Sequence, residues 1–266
     1  MMLLEMKPQK GMGIFLAQCQ KMGLNPETIY RAAVKTITHL NGTAQQRAHT
    51  EVEQTLERCW YDALARGEIA WNVYDSELYF AELWACWIVY SRTYLRAIRK
   101  PKSLPPYGIV RDCQPVKHVI DLGCGIGYTT AALRELFPKA AVTGTNLANT
   151  LQFKFLQSMM KLFDFDVVSK LDQIDKRADL VIAFEYFEHI PDPIKHLGEV
   201  VLGLSPRAML IANSFGTKGI GHFNRYGGSD AGDMSKLFNL EMNRLGYQKI
   251  KTGLWNNRPA YWRLKS

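Results

Sequence analysis

The segment Val119-Ile120-Asp121-Leu122-Gly123-Cys124-Gly125-Ile126-Gly127 constrains this chain more than any other. The apolar run Val116 to Leu122 has the length and composition of a buried strand, and the alternating glycines behind it let the backbone turn sharply and pass close to a ligand. Tyr128 to Phe137 then carries a helical pattern, and Ala140 to Thr145 is strand-like again, so the whole is one β-α-β unit. In such a unit the ligand lies at the carboxyl end of the first strand. A dinucleotide loop needs Gly-x-Gly-x-x-Gly, whose third glycine lets the helix N-terminus meet a pyrophosphate. Here that position is Tyr128, so the pattern is a different one.

The alternation continues downstream. Helical patterns at Asn149 to Lys161, Pro193 to Leu204 and Asp233 to Leu245 are interleaved with strands at Phe165 to Val168, Leu180 to Phe184 and Ala208 to Ala212. Lys249 to Trp255 and Ala260 to Leu264 flank Asn256-Asn257, a turn between antiparallel strands. The expected fold class is therefore α/β: a Rossmann-like, seven-stranded, mostly parallel sheet with a C-terminal antiparallel hairpin. Upstream the signals are helical. Pro26 starts one helix, Thr50 to Arg66 forms an apolar stripe stopped by Gly67, and Asp75 to Lys100 opens with acids and closes with bases as a single long helix would. Pro101 to Gly108 breaks the pattern, which gives a helical cap or substrate region over 1–108 and a second domain over 109–266.

Among 266 residues, 47% are hydrophobic and 22% charged, which is globular composition. No run approaches the roughly 18 to 20 apolar residues of a membrane span, and no basic segment followed by a sustained apolar stretch opens the chain, so a soluble, cytoplasmic protein is expected. Five cysteines without a C-x-x-C pair argue against a disulfide framework or a zinc cluster. The net charge of +8 concentrates between Ser91 and Lys102 and from Lys236 onward, where Tyr247, Trp255, Tyr261 and Trp262 lie among lysines and arginines. That pattern suits a polyanion without requiring one.

The Asp-x-Gly-x-Gly-x-Gly spacing resembles motif I of the class I S-adenosylmethionine-dependent methyltransferases. Asp179 to Pro193 is similar to the fourth-strand motif of that superfamily, and Leu202 to Ile211 to the loop and strand behind it. The resemblance implies S-adenosylmethionine as cofactor, bound at Asp121, Gly123, Gly125, Gly127 and Phe184. The second strand of these enzymes usually ends in an acid that accepts the ribose hydroxyls, and here that position is Asn146.

Glu185, Glu188 and His189 follow the fourth strand in an arrangement similar to ubiquinone-pathway O-methyltransferases and small-RNA 2′-O-methyltransferases. The resemblance implies catalytic roles for His189 as base, with Glu188, and for His222 from the glycine-rich Gly219 to Gly228 segment. The Gly221 to Gly228 loop is expected to be a mobile substrate lid or simply a long connection. The resemblance leaves a divalent metal at Glu185, Glu188, His189 and His222 open but not favoured, and assigns no metal ligand. The expected activity is methyl transfer to an oxygen or nitrogen of a small-molecule substrate. A nucleic-acid methyltransferase is the alternative that the charge favours, and a non-catalytic accessory protein retaining the fold is another, to which Asn146 lends weight.

Overall fold

The computed structural model describes residues 8–40, 51–87, 115–175, 177–252 and 259–265. The proline-rich boundary at 101–108, the basic cluster at 91–102, Trp255 and the Asn256-Asn257 turn lie outside the described residues.

Helices α1 (Pro8–Lys21), α2 (Pro26–Leu40), α3 (Glu51–Ala65) and α4 (Glu77–Trp87) precede strand β1 (His118–Leu122). The chain then alternates through α5 (Tyr128–Leu136), β2 (Ala141–Thr145), α6 (Leu151–Phe163), β3 (Asp166–Val168), β4 (Leu180–Phe184), α7 (Pro193–Leu204) and β5 (Ala208–Ala212). A short hairpin, β6 (Arg225–Tyr226) and β7 (Ser229–Asp230), precedes α8 (Ala231–Arg244), β8 (Tyr247–Ile250) and β9 (Ala260–Leu264). The seven-stranded sheet runs β3-β2-β1-β4-β5-β9-β8, parallel through β5 and antiparallel at β5–β9 and β9–β8. The expected fold class is therefore the observed one, terminal hairpin included.

Every residue of β4 and β5 is buried, as continuous apolar runs in central parallel strands require. One core lies beneath α5 and α6, the other beneath α7 and α8. The first also takes in the N-terminal helices. Phe15 of α1 stacks on Trp84 of α4 at 5.3 Å and meets Phe155 of α6 at 5.7 Å, while Trp84 packs edge-on to Tyr128 of α5 at 5.6 Å. Gly127 serves this packing: it sits at φ +88°, and a Cβ there would run into Leu156.

Two expectations are refined by the structure. The helix expected over Asp75 to Lys100 starts at Glu77, as α4, after a 3-10 turn, Trp71–Asp75; residues 88–100 lie outside the described residues. Ser76 separates them, its Oγ accepting from Tyr79 N at 3.2 Å. Asp75 accepts from Leu151 N at 2.8 Å and so caps α6 rather than its own helix. The segment read as a lid is part hairpin: Gly227 and Gly228 take positive φ between β6 and β7, and Tyr226 is 1% exposed. Among the described residues no helix is long and apolar enough to cross a membrane.

The cap's attachment is testable. Phe15→Ala should lower unfolding stability by about 3–5 kcal/mol in a denaturant titration; a loss below about 1 kcal/mol would mean that α1 packs there only weakly.

Candidate active site

At the carboxyl ends of β1 and β4 the glycine loop crosses the cleft. Gly123, Gly125 and Gly127 all have positive φ, the left-handed region that other residues avoid. A Cβ on Gly123 would strike the ring of Tyr186, and one on Gly125 would lie 3.2 Å from Leu83 of α4. The loop is thus roofed by the N-terminal helices. Asp121, at 2% exposure, lies beneath it and accepts from Thr130 Oγ1 at 2.7 Å. Burial raises this carboxyl from the ordinary 3.8 to about 7, against the opposing Thr130 bond. Its side chain supports the loop from below.

Asn146 lies beside the loop as the spacing implied. Its Nδ2 donates to Gly125 O at 2.8 Å and to Gln152 Oε1 at 3.4 Å, and its Oδ1 accepts from Leu147 N at 2.7 Å. Phe184 packs its ring into the core, so only its backbone is available at the cleft edge. Gly125 and Asn146 fit an adenosyl ligand as a close backbone and an amide acceptor; Gly127 is fixed by packing.

Across the cleft, Glu185 takes φ +48° at the end of β4, a strained conformation that redirects the chain. Its Oε2 accepts from Ser214 Oγ at 2.7 Å, while Glu188 Oε1 accepts from Ser214 N at 2.6 Å. Glu188 is fully buried, and its Oε2 has no hydrogen-bond partner. Burial, then the neighbouring Glu185, push its carboxyl well above the usual range. His222 donates Nδ1–H to Thr217 O at 2.8 Å, which turns Nε2 toward the acids. Ligand atoms of Glu185, Glu188 and His222 all lie within 4.8 Å of one another.

His189 is not in that triad. Its ring packs edge-on to His222 at 5.1 Å, and its Nδ1 lies 3.1 Å from Tyr74 Oη. Burial, then His222, lower its pKa to about 3, with the Gly221 carbonyl opposing. A neutral imidazole of such low basicity is a hydrogen-bonding and positioning group more than a proton acceptor. Tyr74, Gln152 and Ser214 are site residues that the sequence reading missed; no motif marks them.

The C-terminal aromatics serve the sheet. Tyr247, Tyr261 and Trp262 are 1%, 1% and 2% exposed, and Lys249 lies over the Trp262 ring at 5.3 Å. They offer no stacking platform for bases.

Residues 91–216, just under half of the chain, match the family model of a methyltransferase domain. That match and the strand order support a class I S-adenosylmethionine-dependent methyltransferase. It is 31% identical over 103 residues to a tRNA U34 carboxymethyltransferase of Nautilia profundicola, covering 37% of this chain and 34% of that protein. To a malonyl-[acyl-carrier protein] O-methyltransferase of Priestia megaterium it is 30% identical over 105 residues, covering 37% and 36%. The chain thus spans about a third of the length of the curated relatives it matches. A solved structure from Nostoc punctiforme, described as a candidate O-methyltransferase, superposes with a TM-score of 0.53 at 10% identity, over 87% of this chain and 71% of that one, which shows the shared fold.

Asp121 makes stability pH-dependent. Its acid form is favoured in the folded chain, so the unfolded chain loses the proton first and stability falls as pH rises from 3.8 to about 7. Between those limits the wild type should lose roughly 3 kcal/mol relative to Asp121→Asn in parallel denaturant titrations. Parallel pH profiles would show that the carboxyl is not so perturbed.

Proposed function

We propose that this protein transfers a methyl group from S-adenosylmethionine to an oxygen of a small-molecule substrate, with 1–108 as the cap and 109–266 as the catalytic domain. One observation carries the reading: the Glu185, Glu188 and His222 cluster lies beyond β4, at the same carboxyl end of the sheet as the glycine loop after the neighbouring parallel strand β1. Bound S-adenosylmethionine supplies a methyl carbon activated by a cationic sulfur. Gly125 and Asn146 hold the adenosyl part. Methyl transfer is an in-line displacement, so the remaining tasks are to align the acceptor oxygen and take its proton. The acid pair, in its unprotonated form, accepts that proton, because the buried Glu188 carboxyl beside the half-buried Glu185 holds a proton readily. His189 orients the acceptor, and the cap excludes water.

The small-molecule reading follows from enclosure. Trp60 is fully buried, donates Nε1–H to His222 O at 2.7 Å and packs on Phe223 at 5.5 Å. Among the described residues this packing closes one side of the site, which favours a small acceptor over a polymer, and the core position of the C-terminal aromatics weakens the nucleic-acid alternative.

A second reading rests on the unpartnered Glu188 Oε2. Glu185, Glu188 and His222 form a donor set that fits a divalent cation, which would lower the pKa of a bound hydroxyl. Under that reading, chelation abolishes turnover and magnesium or manganese restores it. Chelation leaves turnover unchanged if the pair works through a shared proton.

Calorimetry with S-adenosylmethionine tests the cofactor site. Gly125→Val should abolish binding while the circular dichroism spectrum stays as in wild type, and undiminished affinity would sink the assignment. Glu188→Gln should cut methyl transfer from labelled cofactor into a small-molecule extract by about 100-fold or more, with cofactor affinity within about twofold. Label entering RNA and not the small-molecule fraction would favour the nucleic-acid alternative.

A further inference from the structure

Nothing in the reaction as described uses Tyr74, yet its phenol is held against His189. Tyr74 belongs to the Trp71–Asp75 turn, which is tied to the cofactor side by main chain and by Asp75. Gln152 Nε2 donates to Tyr74 O at 3.1 Å, and Leu151 N donates to Asp75. Neither tie involves the phenol ring. That ring reaches the other way, into the acceptor side, and places Oη 3.1 Å from His189 Nδ1. It stacks on Trp71 at 6.0 Å and 23°, with Trp60 at 6.3 Å. Burial, then Glu188, raise its hydroxyl above the ordinary tyrosine range, so it is present as the neutral phenol.

Gly221 shows how closely the wall is fitted to this group. A Cβ at Gly221 would overlap both Tyr74 Oη and His189 Nδ1, so the loop's glycine is the only residue that admits a hydroxyl there. Trp71, stacked on the Tyr74 ring, is itself 39% exposed. A phenol held at an imidazole, near the acid pair and with Trp60, Trp71 and Tyr79 packed about its ring, has the form of a bound acceptor.

We propose that the Tyr74 side chain is a built-in occupant of the acceptor subsite, and that the substrate is an aromatic hydroxyl compound that takes its place. The proposal rests on the reading of the acid and imidazole cluster as the acceptor end. Because the turn is anchored by Tyr74 O and Asp75, the ring can swing out while the turn stays docked. The incoming phenol then presents its oxygen to His189. Its O–H proton passes to the acid pair, the oxygen forms a bond to the methyl carbon, and the methyl–sulfur bond breaks with its electron pair left on sulfur. Charge balances, since the sulfonium becomes a neutral thioether as the carboxylate pair gains a proton.

The test uses 4-methylphenol, the tyrosine side chain as a free molecule, with toluene as the control lacking the hydroxyl. Tyr74→Ala empties the subsite. In calorimetry it should bind 4-methylphenol at least about tenfold more tightly than wild type does, and more tightly than it binds toluene. With labelled S-adenosylmethionine, Tyr74→Ala should form 4-methylanisole, while Tyr74→Ala with Glu188→Gln should bind 4-methylphenol and form none. Binding of 4-methylphenol and toluene with equal affinity, or binding without methyl ether while the cofactor still binds, would overturn the proposal and leave the functional reading standing. Failure of wild type itself to bind S-adenosylmethionine would instead defeat the functional reading. If Tyr74→Ala does not fold, Tyr74→Phe keeps the ring contacts and removes only the hydroxyl tie. It should then bind 4-methylphenol at least about threefold more tightly than wild type, and unchanged affinity would overturn the proposal.

Discussion

Glu188 has no exposed surface, and taking a carboxylate out of water costs several kcal/mol unless its oxygens are satisfied. The surroundings meet that demand only in part. Ser214 N reaches one oxygen, Tyr226 Oη donates to the Glu188 main-chain carbonyl at 2.9 Å, and the second carboxylate oxygen is left over. The arrangement around it follows from that remainder. Glu185 is held in a left-handed conformation beside it, and His222 is turned by Thr217 so that its free nitrogen points the same way. Residues that a stability argument alone would leave apolar are gathered at the end of a fully buried strand. Strain and an unsatisfied acceptor in one place are what a site prepared for a proton or a cation contains.

The fold was legible because its signals are local and periodic. Apolar runs such as Leu180 to Phe184 and Ala208 to Ala212 can hardly be anything but central strands, and the glycine spacing after β1 fixes where the sheet opens to a ligand. Asp75 shows where this ends. An acid before a helical run predicts an N-cap for that run, and nothing local reveals that a backbone N–H distant in sequence, at Leu151, competes for it. Tyr74 was missed for the same reason, since its role depends on a contact with His189 across 115 positions of sequence.

The site was half legible. The residue types at 185, 188 and 222 were singled out correctly as neighbours, but which imidazole faces the acids depends on hydrogen bonds to Thr217 and Tyr74 that spacing does not encode. Charge was the weaker guide. Basic residues among aromatics suggest a nucleic-acid surface, yet Tyr261 and Trp262, adjacent in β9, point to opposite faces and enter the two cores, and Tyr247 joins the second, because both faces of the sheet are covered.

The sheet divides the hydrophobic interior into two compartments, and the N-terminal helices contribute to only one of them. The aromatic wall at the acceptor end does not keep to that division: Trp60 and Trp71 pack on Phe223, which belongs to the compartment beneath α7 and α8. A change in that wall is therefore felt on both sides of the sheet.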